Sequence, residues 1–226
     1  MKQNRKRELL TGMILLSLFV AWTIMIQLID VKKVGPNGSD VGFATLNVWF
    51  HRLTGVHMSL YTISDWLGLV PIVICMIFGT LGLIQLIKRR SLLKVDPDII
   101  WLGVYYILVI AGYLLFEMVP INYRPVLIDG RMEASYPSST TLLVLSVMPT
   151  LIFQAGRRIK SSMIKYITDV FAIIFSLFMV ICRVIAGVHW LTDIVGSVLL
   201  SSGLYMIYIC VATGHSSTAA SHDQEK

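Results

Sequence analysis

Arg183, His189 and Asp193 lie within eleven residues of one another, between two long apolar segments. Fixed charge in such surroundings is energetically expensive and is usually functional. A His four residues before an Asp lies on the same face of a helical turn, so the carboxylate can accept a proton from one ring nitrogen and orient the other as a nucleophile or base. An Arg nearby offers a fork of donors that matches phosphate oxygens. The spacing therefore predicts attack of an imidazole on a phosphoryl group.

The simplest alternative is three charges at helix ends beside the water interface, and for any one of them alone that is the better interpretation. Two upstream motifs favour chemistry instead, namely Arg124-Pro125 and Pro137-Ser138-Ser139. Ser138 follows a proline where a helix is expected to begin, and free amides and the helix dipole favour an anion there. A plain N-cap would explain Pro137-Ser138 on its own.

The composition indicates a membrane protein. The chain has 226 residues, of which 56% are hydrophobic and only 14% charged, and its mean hydropathy is +0.75. A soluble domain does not need that much apolar surface, and apolar runs of helix-spanning length exclude an outer-membrane barrel. Cys75, Cys182 and Cys210 are far apart within apolar runs and are expected to be buried thiols. We expect no disulfide, no metal site and no other cofactor.

The apolar runs predict an all-α fold, a bundle of six transmembrane helices that forms a single membrane domain over residues 1–212. Residues 43–53 mix apolar and polar side chains, as an interfacial helix after the first span would. Residues 213–226 are rich in Ser, Ala and charge, which predicts a disordered cytoplasmic tail. The predicted spans are 9–29, 66–87, 99–119, 141–155, 167–182 and 191–212.

The basic residues predict the orientation. With both termini in the cytoplasm, the cytoplasmic segments hold 13 of the 19 Lys and Arg residues. That bias favours a multi-pass plasma-membrane protein with this topology, and it explains the net charge of +6 without nucleic acid. Arg124, Arg131, Arg183, His189 and Asp193 then share the outer face, although they are distant in sequence.

Together, Arg124-Pro125, Pro137-Ser138-Ser139 and the Arg183 to Asp193 motif resemble the signature of the type 2 phosphatidic acid phosphatase superfamily, which includes the vanadium haloperoxidases. The resemblance covers roughly residues 66–212 and implies the integral-membrane lipid phosphatase branch. It implies that His189 attacks phosphorus to form a phosphohistidine and that Asp193 orients its ring. The phosphoryl oxygens would be held by Arg124, Arg183, Ser138 and the backbone amide of Ser139.

The sequence departs from that signature at two positions. Glu117 stands where the family has a Lys, and Arg131 in the same loop is a candidate replacement for that charge. Thr140 stands where the family has a His that protonates the leaving alkoxide, and a Thr hydroxyl is far too weak an acid for this role. His51 and His57 are candidate replacement acids, although an interfacial hydrogen-bonding role is the more ordinary interpretation of each.

The missing acid predicts the substrate. A lipid monoester must expel an alkoxide, whereas a polyprenyl diphosphate expels a phosphate monoester, which needs no proton because its own protons titrate at a pKa of about 6. The sequence thus favours a phosphatase that acts on a lipid phosphate or diphosphate in the bilayer, with the diphosphate preferred. One alternative is a catalytically weakened relative that binds or transports a lipid phosphate, and another is a structural or regulatory membrane protein. The oriented imidazole of His189 argues against both.

Overall fold

The structure, a computed structural model, describes residues 2–222. Two strands of two residues each, β1 (Lys32–Lys33) and β2 (Asp40–Val41), pair antiparallel in the connection after the first helix. All other elements of regular structure in this range are helices. They are α1 (Lys2–Leu28), α2 (Ala44–Thr54), α3 (Met58–Leu67), α4 (Leu69–Arg89), α5 (Pro97–Met118), α6 (Ser139–Arg158), α7 (Ser162–Ala186) and α8 (Leu191–His222), with short 3-10 turns at Pro36–Gly38 and Leu92–Lys94.

Six helical segments are long and apolar enough to cross a membrane, which confirms the all-α, six-span fold. The helix predicted at residues 43–53 is α2. The second span begins at Met58 and not near residue 66, because α3 runs into α4 through Gly68, whose φ of −59° and ψ of −16° are helical. The fourth and fifth spans extend beyond their predicted ends, to 20 and 25 residues.

The C-terminal helix extends beyond residue 212, the predicted end of the membrane domain. Helix α8 continues through residue 213 to His222. Residues that extend a formed helix do not bear the nucleation cost, so a polar but Ala-rich continuation can remain helical. Residues 223–226 lie outside the described residues.

Helix α1 packs closely along α8. A Cβ at Gly12 would lie 2.8 Å from the Ile207 side chain, and one at Gly203 would lie 2.8 Å from that of Leu16. Small residues at such a crossing let the backbones approach, as in other membrane helix pairs.

The alternating helix directions bring the ends that carry the motifs together. The C-terminal ends of α5 and α7 and the N-terminal ends of α3, α6 and α8 meet at one end of the bundle. At the opposite end, the buried Asp98 on α5 forms ion pairs with Arg157 and Arg158 on α6, at 3.3 Å and 2.8 Å. The residues predicted to share one membrane face therefore share one end of the protein.

Candidate active site

The connection between α5 and α6 folds as an irregular hairpin. Isolated bridges join Tyr123 to Ala134 and Ile128 to Arg131 around the tip, where Gly130 has a φ of +74°. This register places Arg124 opposite Glu133, and the Arg124 Nε lies 3.1 Å from the Glu133 Oε2. Arg131 lies exposed at the tip, far from the base where the connection enters α6.

The turn between α7 and α8 depends on Gly187. Its φ is +68°, a left-handed conformation that favours glycine, and a Cβ there would overlap the carbonyl oxygen of Gly55. The His57 backbone N–H donates to the Ala186 carbonyl at 3.0 Å, which fixes the start of α3 against this turn. His189 lies two residues after Gly187, just before α8 begins at Leu191.

His189 and Asp193 are joined through a third residue. The His189 Nδ1 is 3.9 Å from the nearest Asp193 oxygen, too far for the direct hydrogen bond that the spacing suggested. The Ser135 hydroxyl bridges them, since its Oγ lies 3.0 Å from Nδ1 and donates to the Asp193 Oδ2. Asp193 also accepts from the Asn122 amide at 3.2 Å and from the Trp190 backbone N–H at 2.9 Å. The Ser135 hydroxyl therefore occupies the position expected for the carboxylate.

This arrangement fixes the tautomer of His189. Because the Ser135 hydroxyl gives its proton to Asp193, its oxygen can only accept from Nδ1, and so can the Ser135 carbonyl at 3.1 Å. Nδ1 therefore carries the proton and Nε2 has the free lone pair. Nε2 is buried and has no hydrogen-bond partner among the described residues. Burial, with the positive charges of Arg124 and Arg183, lowers the pKa of His189 well below 6.5, so the ring is neutral at neutral pH.

Arg124 and Arg183 converge at this end of the bundle. The guanidinium carbons lie 5.6 Å and 5.0 Å from the ring centroid of Tyr61 on α3. The Nη1 atoms of both arginines, and the Nε of Arg183, are buried and meet no hydrogen-bond acceptor in the part of the chain that the structure describes. A pair of arginines with unused donors beside an uncharged imidazole is suited to bind an anion.

Arg183 is held by a carboxylate that the sequence analysis did not select. Its Nη2 donates to the Asp65 Oδ1 at 2.9 Å and also to the Thr140 hydroxyl. The Arg183 side chain is 2% exposed and that of Asp65 is 60% exposed, so the pair connects the protein interior with the surface.

A polar cavity of about 200 Å³ lies in front of His189. An apolar groove of about 330 Å³ adjoins it, and Tyr113 and Ser139 line both spaces. Asp65 and Thr140 line the groove, where most of the other lining residues are apolar. The polar cavity is lined by Tyr113, Glu117, Arg124, Glu133, Ala134, Tyr136, Pro137, Ser139 and His189.

The two serines at the start of α6 have different environments. Ser138 is fully buried, its hydroxyl donates to the Thr141 hydroxyl at 3.1 Å, and it does not line the cavity. Ser139 is the first residue of α6 and does line it. The free amides and the positive end of the helix dipole therefore reach the cavity at Ser139.

The comparisons with known proteins agree with this geometry. The family model of the PAP2 superfamily matches residues 118–219, which include Arg124, Ser138, Arg183, His189 and Asp193. The expected resemblance to this superfamily is thus confirmed over residues 118–219. The fold is similar to the crystal structure of the first transmembrane PAP2 type phosphatidylglycerolphosphate phosphatase from Bacillus subtilis, with a TM-score of 0.61 and 15% identity over 92% of this chain and 96% of that one. No curated protein matches the sequence.

The two departures from the PAP2 signature occupy separate places in the structure. Glu117 is exposed and lines the polar cavity, so a carboxylate stands where the family signature has a cation. Thr140 accepts from Arg183 and faces the groove. The position expected for the leaving-group acid is thus occupied by a hydroxyl that already binds an arginine.

The histidines considered as replacement acids do not line the cavity. The His57 Nε2 lies 2.9 Å from the Thr54 carbonyl oxygen, and this side chain is exposed. The ring of His51 packs against Trp190 with 5.6 Å between centroids, and burial lowers its pKa. Arg131, considered as a replacement for the missing Lys, is also outside the cavity.

Within residues 2–222, no group of three or more His, Cys, Asp or Glu side chains is placed to hold a metal ion. The three cysteines are free thiols.

Proposed function

We propose that this PAP2 protein is a membrane hydrolase that removes the terminal phosphate of a lipid diphosphate through a phosphohistidine on His189. The observation that carries the proposal is the His189 Nε2, which is buried without a partner while Nδ1 is held by Ser135. A nucleophile needs a free lone pair and a fixed orientation, and an imidazole that served only packing would have both nitrogens satisfied.

The neighbouring groups suit transfer of a phosphoryl group. Negative charge spreads over the equatorial oxygens in the transition state, and preorganised donors lower its energy. Arg124, Arg183 and the amide of Ser139 would supply those donors. When Nε2 bonds to phosphorus the ring becomes positively charged, and Asp193 would stabilise that charge through the Ser135 hydroxyl.

The apolar groove supports a lipid substrate. Because Tyr113 and Ser139 line both spaces, a molecule with its phosphate at His189 can extend an apolar chain into the groove. This substrate would lie partly in the bilayer. The distribution of basic residues, 13 of 19 in the segments assigned to the cytoplasm, supports a plasma-membrane protein with both termini inside and the site outside.

The Thr at position 140 supports the diphosphate over the monoester. A hydroxyl cannot protonate an alkoxide near neutral pH, and no histidine lines the polar cavity except His189 itself. A diphosphate releases a phosphate monoester, which leaves without a proton.

The test is phosphate release from matched lipid monophosphates and diphosphates by purified protein in detergent. We expect faster turnover of the diphosphate, no turnover by His189→Ala, and retained lipid-phosphate binding by that variant through the two arginines. Thr140→His should raise monoester turnover more than diphosphate turnover, because it restores an acid beside the groove. Wild-type-like hydrolysis by His189→Ala would refute the nucleophile. Binding without hydrolysis in the wild-type protein would favour the weakened, lipid-binding alternative.

Equal rates on the two lipids, both collapsing in His51→Ala or His57→Ala, would instead identify a relocated acid and refute the leaving-group argument. His57→Ala alone is expected to be neutral, since its ring is exposed and bonds only to the turn that precedes it.

A further inference from the structure

We propose that Asp65 is the general base that activates water to hydrolyse the phosphohistidine, an inference that rests on the proposed function. The first observation that supports this role is the ion pair between the Asp65 Oδ1 and the Arg183 Nη2 at 2.9 Å. The same Nη2 also donates to Thr140, so Asp65 lies beside the residue that replaces the family His. The carboxylate therefore lies beside the position from which the family His would transfer a proton.

Asp65 lies on the side of the site toward which the lipid leaving group would depart. It lines the apolar groove, in which the lipid would lie, and not the polar cavity in front of His189. In an in-line transfer, the water that attacks the phosphohistidine enters where the leaving group departed. Once the lipid monophosphate leaves, this position would open toward the groove and toward Asp65, whose side chain is 60% exposed.

The side-chain type of Asp65 limits the proton transfer that it can perform. A carboxylate accepts a proton near neutral pH and does not supply one to an alkoxide. The first step needs no acid when the leaving group is a phosphate monoester. The residue therefore suits an enzyme with a base for the second step and no acid for the first.

The proposed reaction has two chemical steps. The His189 Nε2 bonds to the terminal phosphorus, the bridging P–O bond breaks, and its electron pair leaves with the lipid monophosphate. A water oxygen then bonds to phosphorus, one water proton passes to the Asp65 carboxylate, and the P–N bond breaks with its electron pair returning to Nε2. Asp65 finally releases the proton to solvent, and inorganic phosphate departs.

The experiment uses the full chain in detergent and a lipid diphosphate labelled in its terminal phosphate, with rapid acid-free quenching. Asp65→Asn keeps an oxygen that can accept from Arg183 but removes the base. We expect a burst of lipid monophosphate of about one equivalent at the wild-type rate, accumulation of labelled protein, and a steady-state rate lower by roughly 10²- to 10⁴-fold. The burst also shows that the variant is folded and binds substrate.

Glu133→Gln is the matched control, because it removes the carboxylate beside Arg124, which faces the cavity and not the groove. We expect this variant to change both phases together and to accumulate no phosphoprotein. The double variant Asp65→Asn, His189→Ala should show no burst.

Different outcomes overturn different claims. If Asp65→Asn turns over at the wild-type rate, or if its burst slows as much as its steady state, Asp65 is not the base, although the hydrolase assignment stands. Accumulation of phosphoprotein in Glu133→Gln would also contradict the proposal, since it would show that the groove position is irrelevant. If the wild-type protein releases no phosphate from any lipid phosphate, the proposed function fails and this inference fails with it.

Discussion

Removal of the Ser135 hydroxyl tests how Asp193 acts on His189. The hydroxyl is the link between them, because the His189 Nδ1 and the Asp193 Oδ2 are 3.9 Å apart. Ser135→Ala removes one hydrogen bond to a carboxylate and one of the two acceptors near Nδ1. The other acceptor, the Ser135 carbonyl at 3.1 Å, remains because it belongs to the backbone.

The magnitude follows from that single bond. A hydrogen bond to a charged group contributes about 1.5–3 kcal/mol, which corresponds to roughly 10- to 150-fold in rate. Asp193→Asn should cost more, about three to four orders of magnitude, because it removes the charge that stabilises the imidazolium. Ser135 does not line the cavity, so we expect the loss in kcat with KM nearly unchanged.

The assay is steady-state phosphate release from a lipid diphosphate by purified variants. Ser146→Ala is the control, since Ser146 is equally buried, its Oγ has no hydrogen-bond partner, and it lies within α6 away from the cavity. A wild-type rate for Ser135→Ala would refute the bridge and imply that His189 and Asp193 couple directly. A loss as large as that of Asp193→Asn would show that the backbone carbonyl does not hold the ring.

Three further predictions concern acidity, packing and topology. Burial and the charges of two arginines lower the pKa of His189, so its neutral form should persist below pH 6.5. In a pH profile of kcat/KM, the loss of activity on the acid side that is due to His189 should therefore be centred below pH 6.5. A loss centred above pH 6.5 would contradict this prediction. Gly187→Ala should lower the free energy of unfolding by about 1–3 kcal/mol, because the new Cβ would combine a positive φ with overlap on Gly55. Gly130→Ala should lower it less in the same thermal unfolding experiment, because Gly130 also has a positive φ but nothing lies near its Cβ position. In a variant otherwise free of cysteine, Gly130→Cys should react with an impermeant thiol reagent on intact cells and Ser91→Cys only after permeabilisation; the reverse pattern would overturn the proposed orientation.

The span pattern was predictable because it is local in the sequence. Apolar length determines which segments can cross a bilayer, and the alternation of spans then assigns each motif to one end of the bundle. Errors occurred at helix ends, where tertiary contacts override composition. Helix α3 is the clearest case. Its polar residues are typical of a loop, but the helix continues through Gly68 into α4.

The residues missed in the site are those that act across long separations in the sequence. Ser135 lies 54 residues from His189, and Asp65 lies 118 residues from Arg183. Spacing rules cannot identify such pairs. One local signal was nevertheless present, because Asp129-Gly130 is typical of a hairpin turn. This turn places Arg131 at the tip of the hairpin, whereas the pairing of Arg124 with Glu133 follows from the separate bridge between Tyr123 and Ala134 and could not be counted from the turn.

The charges of Arg183 and Asp65 bear on the choice of substrate. Arg183 is almost completely buried, and a buried guanidinium needs hydrogen-bond acceptors and partial charge compensation. Asp65 supplies the compensation while leaving Nε and Nη1 free for phosphate oxygens. A carboxylate near neutral pH is a proton acceptor, so Asp65 is not suited to protonate an alkoxide. The proposed preference for a lipid diphosphate, whose leaving group needs no proton, therefore rests on Thr140 at the acid position and on Asp65 beside it.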